Sequence, residues 1–207
     1  MQEEKTENGS KPLKKSDRTR ERILQSAMEL MPELGFQGAT IREICDRAGV
    51  SVGTFYIYFQ TKSDLLRDIF ESADTFFTEV VAADMEGKSC LEQLRVFTAR
   101  YAELNENTGL DMLEVLFNPE NELLSRTRPM QDMLLAVMRQ GQTSGILKSG
   151  LTAERLVEDL FWFLRGVIYS WCVFNASFDL RARMREALEL FLYGAARDGG
   201  AAPPSCQ

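Results

Sequence analysis

The sequence predicts an all-α chain: a small three-helix, helix-turn-helix head at the N-terminus, followed by a larger helical bundle. Apolar residues recur at helical spacing through most of residues 16–196. Helix start and stop residues are unusually legible. The one segment with strand-like composition, residues 51–59 (SVGTFYIYF), has no second strand to pair with.

Taken in order, residues 1–15 are polar, charged and aperiodic, as expected of an arm. The first helix spans about 16–34, with Ile23, Leu24, Ala27, Leu30, Met31 and Leu34 as its apolar stripe and Gly35 as its stop. Pro32 removes a hydrogen bond inside that helix and predicts a kink or an early 3₁₀ ending. Thr40-Ile41-Arg42-Glu43 reads as a capping box opening a short helix whose inner face is Ile44, Cys45 and Ala48 and whose end is Gly49. Ser51 is the next N-cap candidate. Read as a strand, residues 51–59 put Phe55, Ile57 and Phe59 on one side; read as a helix, they put Val52, Phe55, Tyr56 and Phe59 in one stripe. The segment lies between a helix stop at Gly49 and an expected helix start at Thr61, so context selects the helix. The helix capped by Thr61 should continue through Val80.

Beyond it, residues 89–106 and 108–117 read as helices. Asn118-Pro119 supplies an N-cap and an N1 proline for a helix to about residue 142. Residues 152–175 form a long helix that is apolar almost all round and so should be buried on most sides. Asp179 caps the last helix, to about 196. The expected organisation is an arm (1–15), a head (16–64), a body (65–197) and a Gly/Ala/Pro tail (198–207).

Composition narrows the chemistry. The chain has 207 residues, 44% hydrophobic and 27% charged, as in ordinary globular proteins. Its most apolar stretch, residues 156–174, is interrupted by Glu158, Asp159 and Arg165, and the N-terminus lacks the apolar core of a signal peptide. A cytoplasmic location without membrane association is expected. There is no histidine, and Cys45, Cys90, Cys172 and Cys206 are scattered, which removes the common zinc sites and histidine-based catalysis. No phosphate-binding glycine loop or nucleophile motif is present. The chain is therefore expected not to be an enzyme, and to need neither metal nor cofactor. The net charge of −7 is unevenly spread. Residues 11–63 hold nine Lys/Arg against six Asp/Glu, whereas residues 64–207 hold fourteen against twenty-two. A mildly basic head on an acidic body suits a polyanionic partner for the head alone, though chance variation along a solvated surface gives the same balance.

Residues 19–66 closely resemble the N-terminal domain of TetR-family transcriptional regulators. The likeness lies in Ile23-Leu24, Ala27, Leu30, Gly35-Phe36, Thr40, Ile44, Ala48-Gly49-Val50-Ser51, Gly53, Tyr56, Tyr58-Phe59 and Lys62-Ser63-Asp64-Leu65. Met31-Pro32 and Cys45 depart from it, at positions away from the expected DNA-facing surface. The resemblance implies a homodimer that binds double-stranded operator DNA, most simply a palindrome bound by a repressor, and that releases it on binding a small, largely apolar effector. The alternative is a helical small-molecule-binding protein or enzyme that never meets DNA.

On this reading Phe55 and Phe59 pack inward, while Tyr56 and Tyr58 offer hydroxyls to phosphates, with Thr40 and Lys62 adding phosphate contacts. Arg42, Ser51, Val52, Gly53 and Thr54 would face base edges. The basic residues Lys11, Lys14, Lys15, Arg18 and Arg20 would follow the backbone or enter the minor groove. In the body, Glu158, Trp162, Arg165 and Tyr169 share one stripe that must face a pocket, a partner or water. Phe77, Tyr101, Phe117 and Met133, with Met130 and Met138, could line an apolar cavity or be ordinary core. Residues 165–180 resemble the penultimate helix and following turn of many family members, where dimers form; Phe174, Phe178, Leu180 and Leu188 are the expected dimer contacts. The effector is expected to act on the heads through the helix that starts at Thr61.

Overall fold

A computed structural model describes residues 15–118 and 121–196. Among them the secondary structure is helical apart from one isolated antiparallel bridge, Leu147 to Ala196. The chain divides into two compact units, the first ending at Leu65 and the second starting at Leu66.

In the first unit, α1 (Lys15–Gly38), α2 (Ile41–Ala48) and α3 (Val52–Tyr58) pack around Ile23, Ala27, Met31, Ile44, Phe55 and Phe59. Helix geometry in α1 breaks at Gly35, with φ 73° and ψ 162°, and not at Pro32. Glycine takes that positive φ at little steric cost, so the break falls there. Leu34, expected inside, stands 46% exposed beside the break. Residues 15–20 are helical; Lys11, Lys14, the rest of residues 1–14 and the tail 198–207 lie outside the described residues.

Helix α2 has the expected capping box: the Glu43 amide donates to Thr40 Oγ1 at 3.2 Å, and the Thr40 amide donates to Glu43 Oε2 at 2.9 Å. It ends on Gly49 in the left-handed region, φ 63°. At the head of α4 (Ser63–Thr75) the capping acceptor is Asp64 in place of Thr61. Its Oδ2 takes the amides of Gln60 and Thr61 at 3.0 and 2.8 Å.

In the second unit α4 runs into a π-helical stretch, Phe76–Val81, and then α5 (Ala82–Met85). Helices α6 (Cys90–Thr108), α7 (Leu110–Leu116), α8 (Pro129–Thr143), α9 (Ala153–Val173) and α10 (Leu180–Ala195) complete it. The helix expected from Asn118 instead begins at Pro129, after a 3₁₀ turn at Glu122–Ser125. Proline bars its predecessor from the α region, and Arg128 is accordingly extended at φ −123°, ψ 147°. Arg128 is buried, with Nε donating to Asp74 at 3.1 Å and Nη2 to the Phe70 carbonyl at 2.9 Å, which ties the start of α8 to α4.

The core of this unit centres on Phe77, Phe97, Tyr101 and Phe161, whose ring centroids lie 4.8 to 6.0 Å apart. Such pairs contribute about 0.5–1.5 kcal/mol each beyond area burial. Helix α9 is less enclosed than its composition suggests. Trp162, Phe163, Tyr169 and Phe174 are exposed, as are Leu190 and Tyr193 on the neighbouring α10.

Gly141 on α8 marks the tightest packing. A Cβ there would stand 2.6 Å from Cys90 Sγ and 2.7 Å from Leu147 Cδ1, both side chains being buried. Gly141→Ala should therefore destabilise the protein by about 1–3 kcal/mol despite alanine's better helix propensity. Urea denaturation reads this directly; an unchanged or raised midpoint would contradict the packing.

Candidate nucleic-acid interface

The candidate interface is built on α2, the Gly49 turn and α3. Helix α3 has seven residues, too few to be stable alone, so its position depends on what it buries. Phe55 and Phe59 are 0% and 2% exposed, with ring centroids 5.5 Å apart. Burying an aromatic side chain of this kind is worth roughly 1.5–3 kcal/mol. The Arg20 guanidinium lies 5.4 Å from the Phe59 ring centroid and covers its outer side.

The turn is fixed from below. Arg22 on α1 donates through Nη2 to the carbonyls of Ala48 and Gly49, satisfying acceptors left open where α2 ends. A cation at a helix C-terminus also complements the helix dipole. Pattern reading missed Arg22 because nothing in its local sequence shows where it reaches, 26 residues along the chain.

With the phenylalanines inward, the outer face of α3 presents Val52, Gly53, Tyr56 and Ile57. Tyr56 is 54% and Ile57 76% exposed. Thr54 and Tyr58 are half-buried. Ser51 is exposed but engaged: its Oγ accepts the Thr54 amide at 3.1 Å and pairs with Thr54 Oγ1 at 2.9 Å. Thr40 and Arg42 are exposed at the start of α2. Thus Thr40, Arg42, Ser51, Val52, Gly53, Thr54, Tyr56, Tyr58 and Lys62 all reach the surface of this unit at least in part. Ile57, which the strand pattern puts on the same side as Phe55 and Phe59, is at 76% the most exposed large apolar residue among the described ones.

Lys62 plays a larger structural part than expected. Its Nζ donates to the Ala39 carbonyl at 2.9 Å and the Gln37 carbonyl at 3.2 Å, and lies 4.7 Å from the Phe36 ring centroid. It clamps the connection between α1 and α2, with the remaining N–H of its ammonium group left for another acceptor. Burial lowers its pKa from the usual lysine value, against the opposing pull of Glu43.

The body residues fall into two groups. Phe77 and Tyr101 belong to the packed aromatic core and Met130 and Met138 are fully buried, while Phe117 and Met133 are half-buried. The polar-aromatic stripe of α9 lies on the surface. Glu158 pairs with Arg155 at 3.1 Å, Arg155 covers Trp162 at 4.8 Å, and Tyr169 is 62% exposed. Arg165 turns aside to donate to the Leu124 carbonyl at 3.1 Å. Glu158, Trp162 and Tyr169 thus face outward and Arg165 is half-buried, while the opposite face of α9 supplies the core. Leu180 and Leu188, expected at a dimer interface, are 0% and 1% exposed within the protomer's own core. Phe174 stands 62% exposed, and Phe178 is half-buried.

Residues 23–69 match the family profile of the bacterial regulatory proteins, tetR family. The chain is a TetR-family transcriptional regulator. The regulator is 24% identical over 180 residues to the fatty acid metabolism regulator protein of Bacillus subtilis, covering 83% of this chain and 93% of that one. It is also 24% identical over 198 residues to the transcriptional regulator AcrR of Shigella flexneri, covering 88% and 91%. Its fold matches the crystal structure of Bacillus subtilis FadR in complex with stearoyl-CoA, with TM-score 0.74, 25% identity, and 84% and 98% of the two chains covered. It likewise matches the SmeT–triclosan complex, with TM-score 0.71, 23% identity, and 91% and 96% covered. These relatives are DNA-binding regulators, not enzymes, and the regulator shares their helix-turn-helix head and helical body.

The capping box sets a pH dependence. Hydrogen bonds from the Thr40 side chain and backbone hold the Glu43 carboxyl below its usual value. A depressed carboxyl adds stability above its unfolded pKa and loses it as pH falls through the folded one. Thr40→Ala should cost about 1 kcal/mol at neutral pH. The difference from wild type should shrink as pH falls below about 4, where the free carboxyl protonates. Denaturation midpoints of the two proteins from pH 7 to pH 3 test it; a pH-independent difference would contradict the reciprocal box.

Proposed function

We propose that the regulator is a homodimeric repressor of the cytoplasm that binds a palindromic operator and is released by a small, largely apolar effector. One observation carries the DNA-facing part: α3 buries Phe55 and Phe59 completely and leaves Val52, Gly53 and Tyr56 outward beside the exposed Arg42 of α2. In this reading Val52, Gly53, Thr54 and Ser51 meet base edges in the major groove, and Arg42 reads a guanine. Tyr56, Tyr58, Thr40 and the remaining N–H of Lys62 meet phosphates and set the register. Arg18 and Arg20, exposed at the start of α1, lie toward the backbone or minor groove.

The dimer reading rests on α9 and α10. Trp162, Phe163, Tyr169 and Phe174 with Leu190 and Tyr193 form an exposed apolar face, and exposed apolar surface on this scale marks an interaction site. Gly166 lies in the same stripe with nothing within 4 Å of where its Cβ would be, which suits close approach by a second copy. A two-fold axis through this face would pair two heads with two half-sites. The apolar effector is supported by the stearoyl-CoA and triclosan bound to the similar structures and by the Met- and Phe-rich body. Among the described residues no helix is long and apolar enough to cross a membrane, in keeping with a cytoplasmic site of action.

Selection of bound DNA from a random pool, followed by titration at several salt concentrations, tests the DNA-facing assignments. Tyr56→Phe should weaken binding about tenfold on all sequences, because it deletes a hydrogen bond to a charged phosphate. Arg42→Ala should cost about 1–3 kcal/mol on the selected site and relax the preference at one base pair. Unchanged affinity in the first variant, or unchanged sequence preference in the second, removes that role. The double substitution Tyr169→Glu, Phe174→Glu should sediment as a monomer with its helicity intact and lose high-affinity operator binding. A dimer persisting in that variant would place the interface elsewhere.

A further inference from the structure

A groove of about 430 Å³ opens on the surface of the second unit between α5, the start of α6 and α8. It is separate from the aromatic core and from the exposed face of α9 and α10. Its floor is Met85 and Val137, both buried, and its sides are Ala82, Ala83, Ala136 and Met133. The volume lies within the range of small-molecule sites, and small alanines beside adaptable methionines suit an apolar body of moderate width. The π-helical stretch Phe76–Val81 ends where this wall begins, and π turns recur at functional sites.

The polar rim has one sign. It consists of Glu86, Gln93 and Gln140. The Glu86 carboxylate is exposed and makes no hydrogen bond or ion pair with another described residue. One N–H of Gln93 Nε2 donates to the Lys88 carbonyl at 2.7 Å, and its amide oxygen remains an acceptor. No basic side chain lines the groove, and the two arginines nearby are paired elsewhere: Arg100 with Asp84 at 2.7 Å and Glu103 at 2.9 Å, and Arg139 with Glu154 at 2.6 Å. An anionic head group would meet an unpaired carboxylate and only neutral amide donors, whereas a cation would meet that carboxylate and the amide oxygens of Gln93 and Gln140.

We propose that this groove binds an amphipathic organic cation, its apolar body on Met85, Met133 and Val137 and its positive centre at Glu86. As the effector of the regulator, which rests on the ligand-responsive reading above, it would belong to a different chemical class from the stearoyl-CoA bound to the similar FadR structure.

The test uses the full chain, with decyltrimethylammonium and decyl sulfate as probes of equal chain length and opposite charge, below their micellar concentrations. Isothermal titration should show the cation binding once per protomer and the sulfate not binding. Glu86→Gln should weaken the cation up to about fivefold, as expected for a partly exposed charge pair. Ala136→Phe, which fills the groove at an exposed position, should abolish binding while the denaturation midpoint stays unchanged. Equal binding of both probes, no binding of the cation, or binding unaffected by both variants overturns the site. Operator titration in parallel separates the two levels. Cation binding that leaves operator affinity unchanged overturns the effector role, and an absence of operator binding altogether overturns the regulatory reading on which that role rests.

Discussion

Everything the head does depends on burying two phenylalanines. A helix of seven residues closes too few hydrogen bonds to offset its nucleation cost in water. Helix α3 exists because Phe55 and Phe59, one turn apart, go fully into the packing of the first unit. That burial fixes the rotation of α3 about its own axis, and rotation decides which residues remain outside. Tyr56 and Ile57 are exposed because they adjoin Phe55 on a helix whose inner side is already assigned. The outward face of α3 is thus a by-product of the core.

The supports around this helix show a division of labour by charge. Arg22 closes the end of α2, Lys62 clamps the α1–α2 connection, and Arg20 covers Phe59. Three of the cations that make the head basic therefore hold the scaffold together. The local charge balance is a poor guide to which side chains meet a phosphate, because each of these residues is engaged within the protein. Lys62 is the plainest case: substituting it loosens a structural clamp as well as removing a positive charge, so Tyr56 and Arg42 are cleaner probes of DNA contact.

Much of this was legible in the sequence because it is local. Thr40 with Glu43, Ser51, Ser89 with Glu92, Thr152 and Asp179 all announce helix starts that occur where expected, since a cap needs only residues within one turn. Gly35 and Gly49 mark stops for the same reason. What pattern could not supply was long-range. The pairing of Arg128 with Asp74 spans 54 residues, and Pro129, rather than Pro119, starts α8 once Arg128 is held extended. The apolar character of α9 implied burial, yet periodicity cannot distinguish a face that enters the protomer's core from one left open for another molecule. Leu180 and Leu188 turned inward, while Trp162 and Tyr169 turned outward.

Phe55 holds in place the face of α3 that is proposed to read DNA. The most direct measurement is selection of DNA from a random pool by the wild type and by Phe55→Ala, with far-UV circular dichroism of both proteins. The wild type should enrich an inverted repeat, and Phe55→Ala should enrich nothing while the helical signal of the second unit persists. Enrichment of the same sequence by Phe55→Ala at undiminished affinity would contradict it.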